Sequence, residues 1–449
     1  MSDILAKYAT RAVPRYTSYP TVPHFSADFP GATYHSWLEQ LDPTEPISLY
    51  LHVPFCRKMC WYCGCNMKLA ARYEPIADYV ETLIREIDLV ADAMPGVMPV
   101  SHLHWGGGTP TVLSEDDFTR VMDHLHQRFA INEDAELAIE SDPRTLGIEM
   151  IKRIGELGFT RASFGVQEFD PQVQSAINRI QPPELVAHCV DHLREAGVTG
   201  INFDLIYGLP HQTVETLTRT IAHTVDMAPD RVALFGYAHV PWMAKNQKMI
   251  PFEALPNMEQ RSEQATAAAE ALVEAAYRTI GLDHFARPGD PLAIAAERGA
   301  LRRNFQGYTT DGAETLIGLG ATSIGRTPFG YIQNIAETGA WARTVGNGEL
   351  PIAKGHAMTT QDQLRGRVIE RIMCNGAVDT GDAARELLLE ENWCAEEFAD
   401  LDSLAEDGLI ERDGSDIRLT AVGRPLARVV AAVFDTYLRG SAARHSVAV

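Results

Sequence analysis

Between about residues 45 and 240, six short apolar runs alternate with amphipathic helical stretches, and this rhythm leaves few folds open. The runs are ISLYLHVP (47–54), VSHLHWG (100–106), ELAIES (136–141), TRASFGVQ (160–167), GINFDLIYG (200–208) and RVALFGYAHV (231–240). Between them lie segments such as YVETLIREIDLVADAM, DDFTRVMDHLHQRF and PELVAHCVDHLREAG. Strands separated by helices call for a parallel sheet with crossover helices. Six such units make most of a barrel but fall short of eight. The expected fold is therefore α/β, an open, partial (β/α)6 barrel.

Alternation within the runs says what the barrel holds. In the first, Ile47, Leu49, Leu51 and Val53 share one face, while Ser48, Tyr50 and His52 share the other. Leu137 and Ile139 oppose Glu140; Phe164 and Val166 oppose Arg161, Ser163 and Gln167; Phe203 and Leu205 oppose Asn202 and Asp204. With the apolar faces under the helices, the polar faces converge inside. A sealed core does not tolerate that many unpaired polar groups, so the interior is expected to hold a polar ligand.

The first run leads through Pro54 and Phe55 into CRKMCWYCGC, which carries four of the chain's seven cysteines. Cys56, Cys60 and Cys63 supply three thiolates, each able to hold one iron of a [4Fe-4S] cubane and leaving a fourth iron open. S-adenosylmethionine (SAM) chelating that iron through its amino and carboxylate groups would bring its sulfonium to the cluster, where one electron breaks a carbon–sulfur bond homolytically. A structural zinc site competes for four cysteines, but such sites draw paired ligands from two separated places, and these four share one loop. Cys65 as a fourth ligand would block the open iron and is expected not to coordinate. Cys189, Cys374 and Cys394 are scattered and read as buried small side chains. A second motif, HWGGGTPT (104–111), ends the second run; its glycines let the backbone approach a ligand closely.

After residue 250 an Ala/Glu-rich helix (around 257–281) precedes a loop-rich, Gly-rich stretch through about 350, and GNGELPIAKGH (346–356) reads as a linker. Beyond it QLRGRVIERIM, AARELLLEE, EEFADLDSLAEDGLI and LTAVGRPLARVVAAVFDTYL read as short helices, with IERDGSDIRLT as a small ribbon. The expected division is an N-terminal arm over the active site (1–35), a catalytic domain (36–350) and a small, mostly α-helical, winged-helix-like C-terminal domain (351–449).

Lys plus Arg number 39 against 60 Asp plus Glu, a net charge of −21, which argues against nucleic acid as a partner. No apolar stretch is long enough to span a bilayer, and the N-terminus lacks a secretory pattern, so a cytoplasmic protein without a membrane is expected. An anionic substrate would need local arginines to overcome the overall field. Arg11, Arg15, Arg302 and Arg303 are the candidates.

With these motifs the chain resembles the radical SAM superfamily, and within it the oxygen-independent coproporphyrinogen III oxidases (coproporphyrinogen dehydrogenases). The resemblance runs through RYTSYPT (15–21), LYLHVPFCRKMCWYCGCN (49–66), HWGGGTPT, IESDPR (139–144), SFGVQEFDPQVQSAINRIQ (163–181), FDLIYGLP (203–210), YAHVP (237–241) and RNFQGYTT (303–310). It implies one [4Fe-4S] cluster on Cys56, Cys60 and Cys63 and two SAM molecules. Tyr50, Gly107, Glu140 and Ile324 would contact the first SAM; Tyr62, Gly108, Thr109, Gln167, Arg179, Asp204 and Ala238 would contact the second. Cys65 is implied in turnover. The implied reaction converts two propionates of coproporphyrinogen III to vinyl groups, giving protoporphyrinogen IX, by hydrogen abstraction with a 5′-deoxyadenosyl radical. A flavodoxin- or ferredoxin-like reductant and a monomeric state are implied as well. The alternative is a haem-binding relative, a haem chaperone without decarboxylase activity; the presence of Cys65 and RNFQGYTT argues against it.

Overall fold

Six parallel strands lie side by side in chain order: β1 (Ile47–Val53), β2 (Pro99–Gly107), β3 (Ala130–Ser141), β4 (Arg161–Gln167), β5 (Gly200–Tyr207) and β6 (Arg231–Gly236). This computed structural model describes Lys7, Tyr8 and residues 11–438. Helices α1 (Glu74–Asp92), α2 (Glu115–Arg128), α3 (Ile148–Glu156), α4 (Pro183–Glu195) and α5 (Val214–Met227) make the crossovers, so the expected open (β/α)6 architecture is present. Local chemistry explains the helix ends. Ser114 caps α2 by accepting from the Asp117 amide, Glu115, Asp116 and Asp117 fill its first turn, and His126 and Arg128 its last, matching the helix dipole. α1 buries Ile76, Tyr79, Val80, Leu83, Ile87 and Val90, a stripe at helical spacing.

The stretch expected to be loop-rich is sheet instead. β7 (Thr315–Leu319) pairs in parallel with the free edge of β1, setting Leu49 against Ile317 and Tyr50 against Gly318. β8 (Ile324–Thr327), β9 (Gly330–Asn334) and β10 (Ile352–Ala357) extend that edge, and β10 occupies the segment expected to be a linker. These strands are short and rich in Gly and Thr, so their own sequence signal is weak. Pairing supplies what propensity does not.

A buried carboxylate ties this extension to α1. Glu86 accepts from the Gly320 amide (2.7 Å), the Asn334 side chain (2.5 Å) and the Trp341 indole (3.1 Å), while Tyr79 stacks on Trp341 at 4.5 Å. Burial pushes the Glu86 carboxyl up to about 7 despite those three donors. A raised folded-state pKa means that the folded protein binds the proton more tightly. Its contribution to stability is therefore complete below the ordinary glutamate range and is lost as pH rises to about 7. Urea unfolding between pH 4.5, the ordinary glutamate value, and about 7 is expected to show that downward slope, and Glu86→Gln is expected to remove it.

The chain clusters into two units interleaved along the sequence: 26–275 with 311–356, and the described residues of 1–25, 276–310 and 357–449. These do not follow the division expected at 35 and 350. In the second unit Tyr8, Val13, Tyr16 and Tyr19 enter a core with Leu364, Val368, Ile369, Ile372 and Phe434. The Tyr16 hydroxyl donates to Asp435 at 3.0 Å. Residues 276–310 contribute Ile280, Ala286, Leu292, Leu301 and Tyr308 to a neighbouring cluster that includes Cys374. Long-range burial of this kind leaves no mark on local periodicity.

A three-stranded antiparallel sheet (Ala377–Asp379, Asp416–Leu419, Ile410–Asp413) accompanies helices Thr360–Asn375 and Phe398–Glu406, in keeping with the winged-helix-like expectation. The other expected helices are shorter: Thr380–Arg385, and a broken series from Arg424 to Phe434 in which Pro425 stands in the first turn. Cys189, Cys374 and Cys394 are buried. No helix among the described residues is long and apolar enough to cross a membrane.

Candidate active site

Period-two alternation, carried across the barrel register, brings the polar residues together. Tyr50 lies opposite His104, Glu140 opposite Ser163, Ser163 opposite Asn202, and Gly165 opposite Asp204. Tyr50 donates or accepts at His52 Nδ1 (3.0 Å) and stacks on His104 at 5.8 Å. Glu140 takes His104 Nε2 at 3.2 Å and the Gly107 amide at 3.1 Å. Ile324 sits on β8 with its backbone against Gly318, the register partner of Tyr50. Tyr50, Gly107, Glu140 and Ile324, expected together, thus share one corner. Burial and the nearby Glu140 charge push Asp204 up to about 7, so near neutrality it holds a proton for part of the time.

The cysteine loop is pinned from several sides. Trp61 donates its amide to Ile177 O (2.9 Å) and Asn178 its side-chain amide to Met59 O (2.7 Å). Asn246 Nδ2 meets the carbonyls of Cys60, Trp61 and Cys63 at 3.0, 3.2 and 2.8 Å. Gln247 Nε2 joins the carbonyls of Tyr62 (2.8 Å) and Ala238 (3.1 Å), which brings those two expected residues to one place. Asn246 and Gln247 were absent from the sequence expectations; they lie just past YAHVP, in a segment whose periodicity is neither helical nor extended.

The motif SFGVQEFDPQVQSAINRIQ runs from the end of β4 through a short helix (Pro171–Ala176) and bonds to itself. Glu168 accepts from the Phe169 and Asp170 amides (2.8 and 3.1 Å) and from Gln212 (2.7 Å). Gln174 Nε2 donates to the carbonyls of Glu168 and Gln181, both at 2.8 Å, and the Arg179 amide reaches Gln174 O at 2.9 Å. The result is a buried Arg179 whose guanidinium meets Cys60 Sγ (3.3 Å), Asp142 Oδ2 (3.4 Å) and the Gly165 carbonyl. Gln167, at a left-handed φ of +68°, is buried beside it.

Among the cysteines, Cys56 Sγ lies 3.4 Å from the Thr109 hydroxyl, and Cys63 Sγ accepts the Cys65 amide at 3.4 Å. Cys60 is buried and takes N–H groups from Arg144 (3.1 Å) and Arg179. Cys65 is exposed. Burial pushes the Cys56 thiol up to about 11, while hydrogen bonding from Cys65 draws Cys63 down to about 7; iron binding there would displace both protons. Among the described residues no three His, Cys, Asp or Glu side chains converge on a single-ion position. A cubane does not ask this of its ligands, because each thiolate takes a different iron. The donor set fits the cluster, and two buried polar atoms without a hydrogen-bond partner, Gln167 Oε1 and Arg179 Nε, fit a polar ligand beside it.

Residues 50–223 match the Radical SAM superfamily. The chain is 48% identical over 448 residues to the oxygen-independent coproporphyrinogen III oxidase of Bradyrhizobium diazoefficiens, covering 100% of both. It is 42% identical over 440 residues to the protein of the same name from Paracoccus denitrificans, covering 97% of this chain and 96% of the other. Among solved structures it is similar to coproporphyrinogen III oxidase from Escherichia coli, described as a radical SAM enzyme. The TM-score is 0.91 at 39% identity, over 94% of this chain and 97% of that one. A cysteine loop at the mouth of an open barrel, a polar interior and likeness from end to end agree: the chain belongs to the oxygen-independent coproporphyrinogen III oxidase family of radical SAM enzymes.

Proposed function

We propose that this protein oxidatively decarboxylates two propionate side chains of coproporphyrinogen III to vinyl groups, yielding protoporphyrinogen IX without oxygen. The observation that carries this is the cysteine loop anchored over the polar barrel face, in a chain 48% identical to such an oxidase along its whole length. The haem-chaperone alternative receives no support from the relatives named above.

When bound, the cluster and SAM supply a 5′-deoxyadenosyl radical, able to take a hydrogen atom from a propionate carbon that has no usable acidity. Cys56, Cys60 and Cys63 would hold the cluster. Tyr50, Gly107, Glu140 and Ile324 would line the first SAM position, with Glu140 already accepting the Gly107 amide and free to take further donors. Tyr62, Gly108, Thr109, Gln167, Arg179, Asp204 and Ala238 would line the second. Arg179 offers a planar cation suited to a methionine carboxylate. Cys65 stands exposed beside the loop and would serve turnover rather than ligation. A flavodoxin- or ferredoxin-like protein would deliver the electrons, and the working form would be a cytoplasmic monomer.

The four candidate substrate arginines differ in how their charge is met. Arg302 spends its charge on Glu370 at 3.0 Å, and Arg11 lies over the Tyr8 ring at 4.4 Å. Arg303 donates one N–H to the Arg15 carbonyl at 3.4 Å and rests over Tyr308, while its Nε and Nη1 have no hydrogen-bond partner. Arg15 is exposed. Arg15→Ala and Arg303→Ala are expected to raise the KM for coproporphyrinogen III roughly tenfold, the equivalent of one charge-assisted hydrogen bond, and to leave SAM binding unchanged in equilibrium titration.

The deciding experiment is anaerobic reconstitution followed by reaction with coproporphyrinogen III, SAM and a reductant. Divinyl product with release of methionine and 5′-deoxyadenosine supports the reading; haem binding without decarboxylation overturns it.

A further inference from the structure

Asp142 and Arg144, both in IESDPR, hold neither the cluster nor SAM in the proposed function. They close a tight turn at the end of β3. The Asp142 carbonyl accepts the amides of Thr145 (3.0 Å) and Leu146 (3.1 Å), and its carboxylate accepts the Arg144 amide at 3.0 Å. The Arg144 guanidinium then grips the same carboxylate, Nε to Oδ1 at 2.9 Å and Nη2 to Oδ2 at 2.6 Å. Nη1 adds the Asn178 carbonyl at 3.3 Å. The two side chains are 4% and 10% exposed, so this fork is held out of water.

So fixed, Arg144 directs Nη2 at Cys60 Sγ, 3.1 Å away. The geometry is local and rigid: one carboxylate sets the plane of the guanidinium, and the plane sets the aim of the remaining N–H. Cys56 and Cys63 receive no charged donor of this kind among the described hydrogen bonds. Arg179 also reaches Cys60, but it is the arginine proposed for a SAM carboxylate, whereas each of the three Arg144 nitrogens is already held by a protein partner.

We propose that Arg144, aimed by Asp142, hydrogen-bonds the Cys60 sulfur of the bound cluster and raises the potential at which that cluster accepts its electron. One electron enters from the reductant, the cluster passes from the 2+ to the 1+ state, and no bond is made or broken. Reduction adds negative charge to the iron–sulfur unit, so an N–H held on a ligand sulfur stabilises the reduced form more than the oxidised one; Asp142 balances the guanidinium charge, and the hydrogen bond to Cys60 carries the effect. Arg144 is a positioning and tuning residue, acting through Cys60 rather than on substrate.

The inference rests on the cluster reading, and its test separates the two. Full-length wild type, Arg144→Gln, Arg144→Lys and Asp142→Asn are reconstituted anaerobically. Each is assayed for iron and sulfide and titrated potentiometrically without SAM, with the reduced cluster followed by electron paramagnetic resonance. Arg144→Gln is expected to shift the reduction equilibrium at least tenfold toward the oxidised form, about 59 mV for one electron. Arg144→Lys should recover part of that shift, because its ammonium can still donate to Cys60, whereas Asp142→Asn, which removes a negative charge and leaves the guanidinium uncompensated, should move the potential the other way. A cluster-loaded Arg144→Gln with the wild-type potential overturns the proposal, even if its melting temperature falls, because a purely structural role would do only that. Should Arg144→Gln fail to load, Arg144→Lys decides: a potential below wild type supports the proposal, and the wild-type potential overturns it. Wild type that takes up no cluster overturns instead the reading on which this one stands.

Discussion

Anaerobically reconstituted Cys60→Ala is expected to retain no SAM-responsive [4Fe-4S] cluster and to form 5′-deoxyadenosine only at the background of cluster-free protein, whereas Cys65→Ala keeps the cluster. The contrast follows from where the two thiols sit. Cys60 is buried and accepts N–H groups from Arg144 and Arg179, so a negatively charged sulfur is already provided for. Its loss removes one of the proposed iron ligands and also strands two buried donors, which costs about 1–3 kcal/mol of stability. Cys65 is exposed and gives Cys63 both its backbone amide, a bond that alanine preserves, and a thiol hydrogen bond, which alanine loses. Iron and sulfide content, the spectrum of the reduced protein with and without SAM, and deoxyadenosine yield read the two variants separately. Product formation by Cys65→Ala is expected to fail although its cluster is intact. A Cys65→Ala protein that loses its iron as Cys60→Ala does would place Cys65 among the ligands and remove the open site.

Gly108→Ala is expected to destabilise the fold and loosen the cysteine loop in one step. A Cβ at Gly108 would stand 2.6 Å from the Phe55 carbonyl, immediately ahead of Cys56, and the Gly108 amide itself donates to Val53 at 2.8 Å. Neither strand end can retreat, because both are fixed in the parallel register of β1 and β2. Overpacking against backbone costs about 1–3 kcal/mol. Gly107→Ala adds a different penalty: its φ of +116° is one that side chains rarely adopt, and its Cβ would meet the His52 ring at 2.8 Å. Backbone strain there costs about 1–3 kcal/mol. Urea midpoints at unchanged slope would report both losses. Faster iron loss to a chelator in Gly108→Ala would show that the strain reaches the cysteines. Wild-type midpoints and iron retention in Gly108→Ala would contradict the close approach.

Much of the site was legible beforehand because its cues are local. Tyr50, Glu140, Gln167 and Asp204 stand out by strand alternation, since a polar residue recurring at every second position of an apolar run must face something polar. The cysteine spacing speaks for itself, as each thiolate needs only its own iron. Contacts of the individual SAM molecules came from resemblance alone; the structure adds separate contacts, such as Thr109 with Cys56 and Tyr62 with Ala238 through Gln247. The residues that hold the loop in place, Asn246 and Gln247, were invisible, because an amide bonding to backbone carbonyls more than 180 positions away leaves no pattern in its own segment. Asp142 and Arg144 were visible as letters of a motif but not as a clamp.

The amino-acid order alone determined the alternating strands and helices, the polar lining of the barrel and the trio of thiols at the mouth of its first strand. Each depends on side chains a few positions apart, where backbone geometry dictates which face a residue takes. Tertiary structure decided the rest. The Gly-rich stretch past residue 311 became sheet because the free edge of β1 accepts β7, and the N-terminal tyrosines found the core of a helix that begins at Thr360. Arg144 met Cys60 across 84 residues. Burial and hydrogen bonding between distant segments depend on what is brought together in space, and local periodicity carries no record of it.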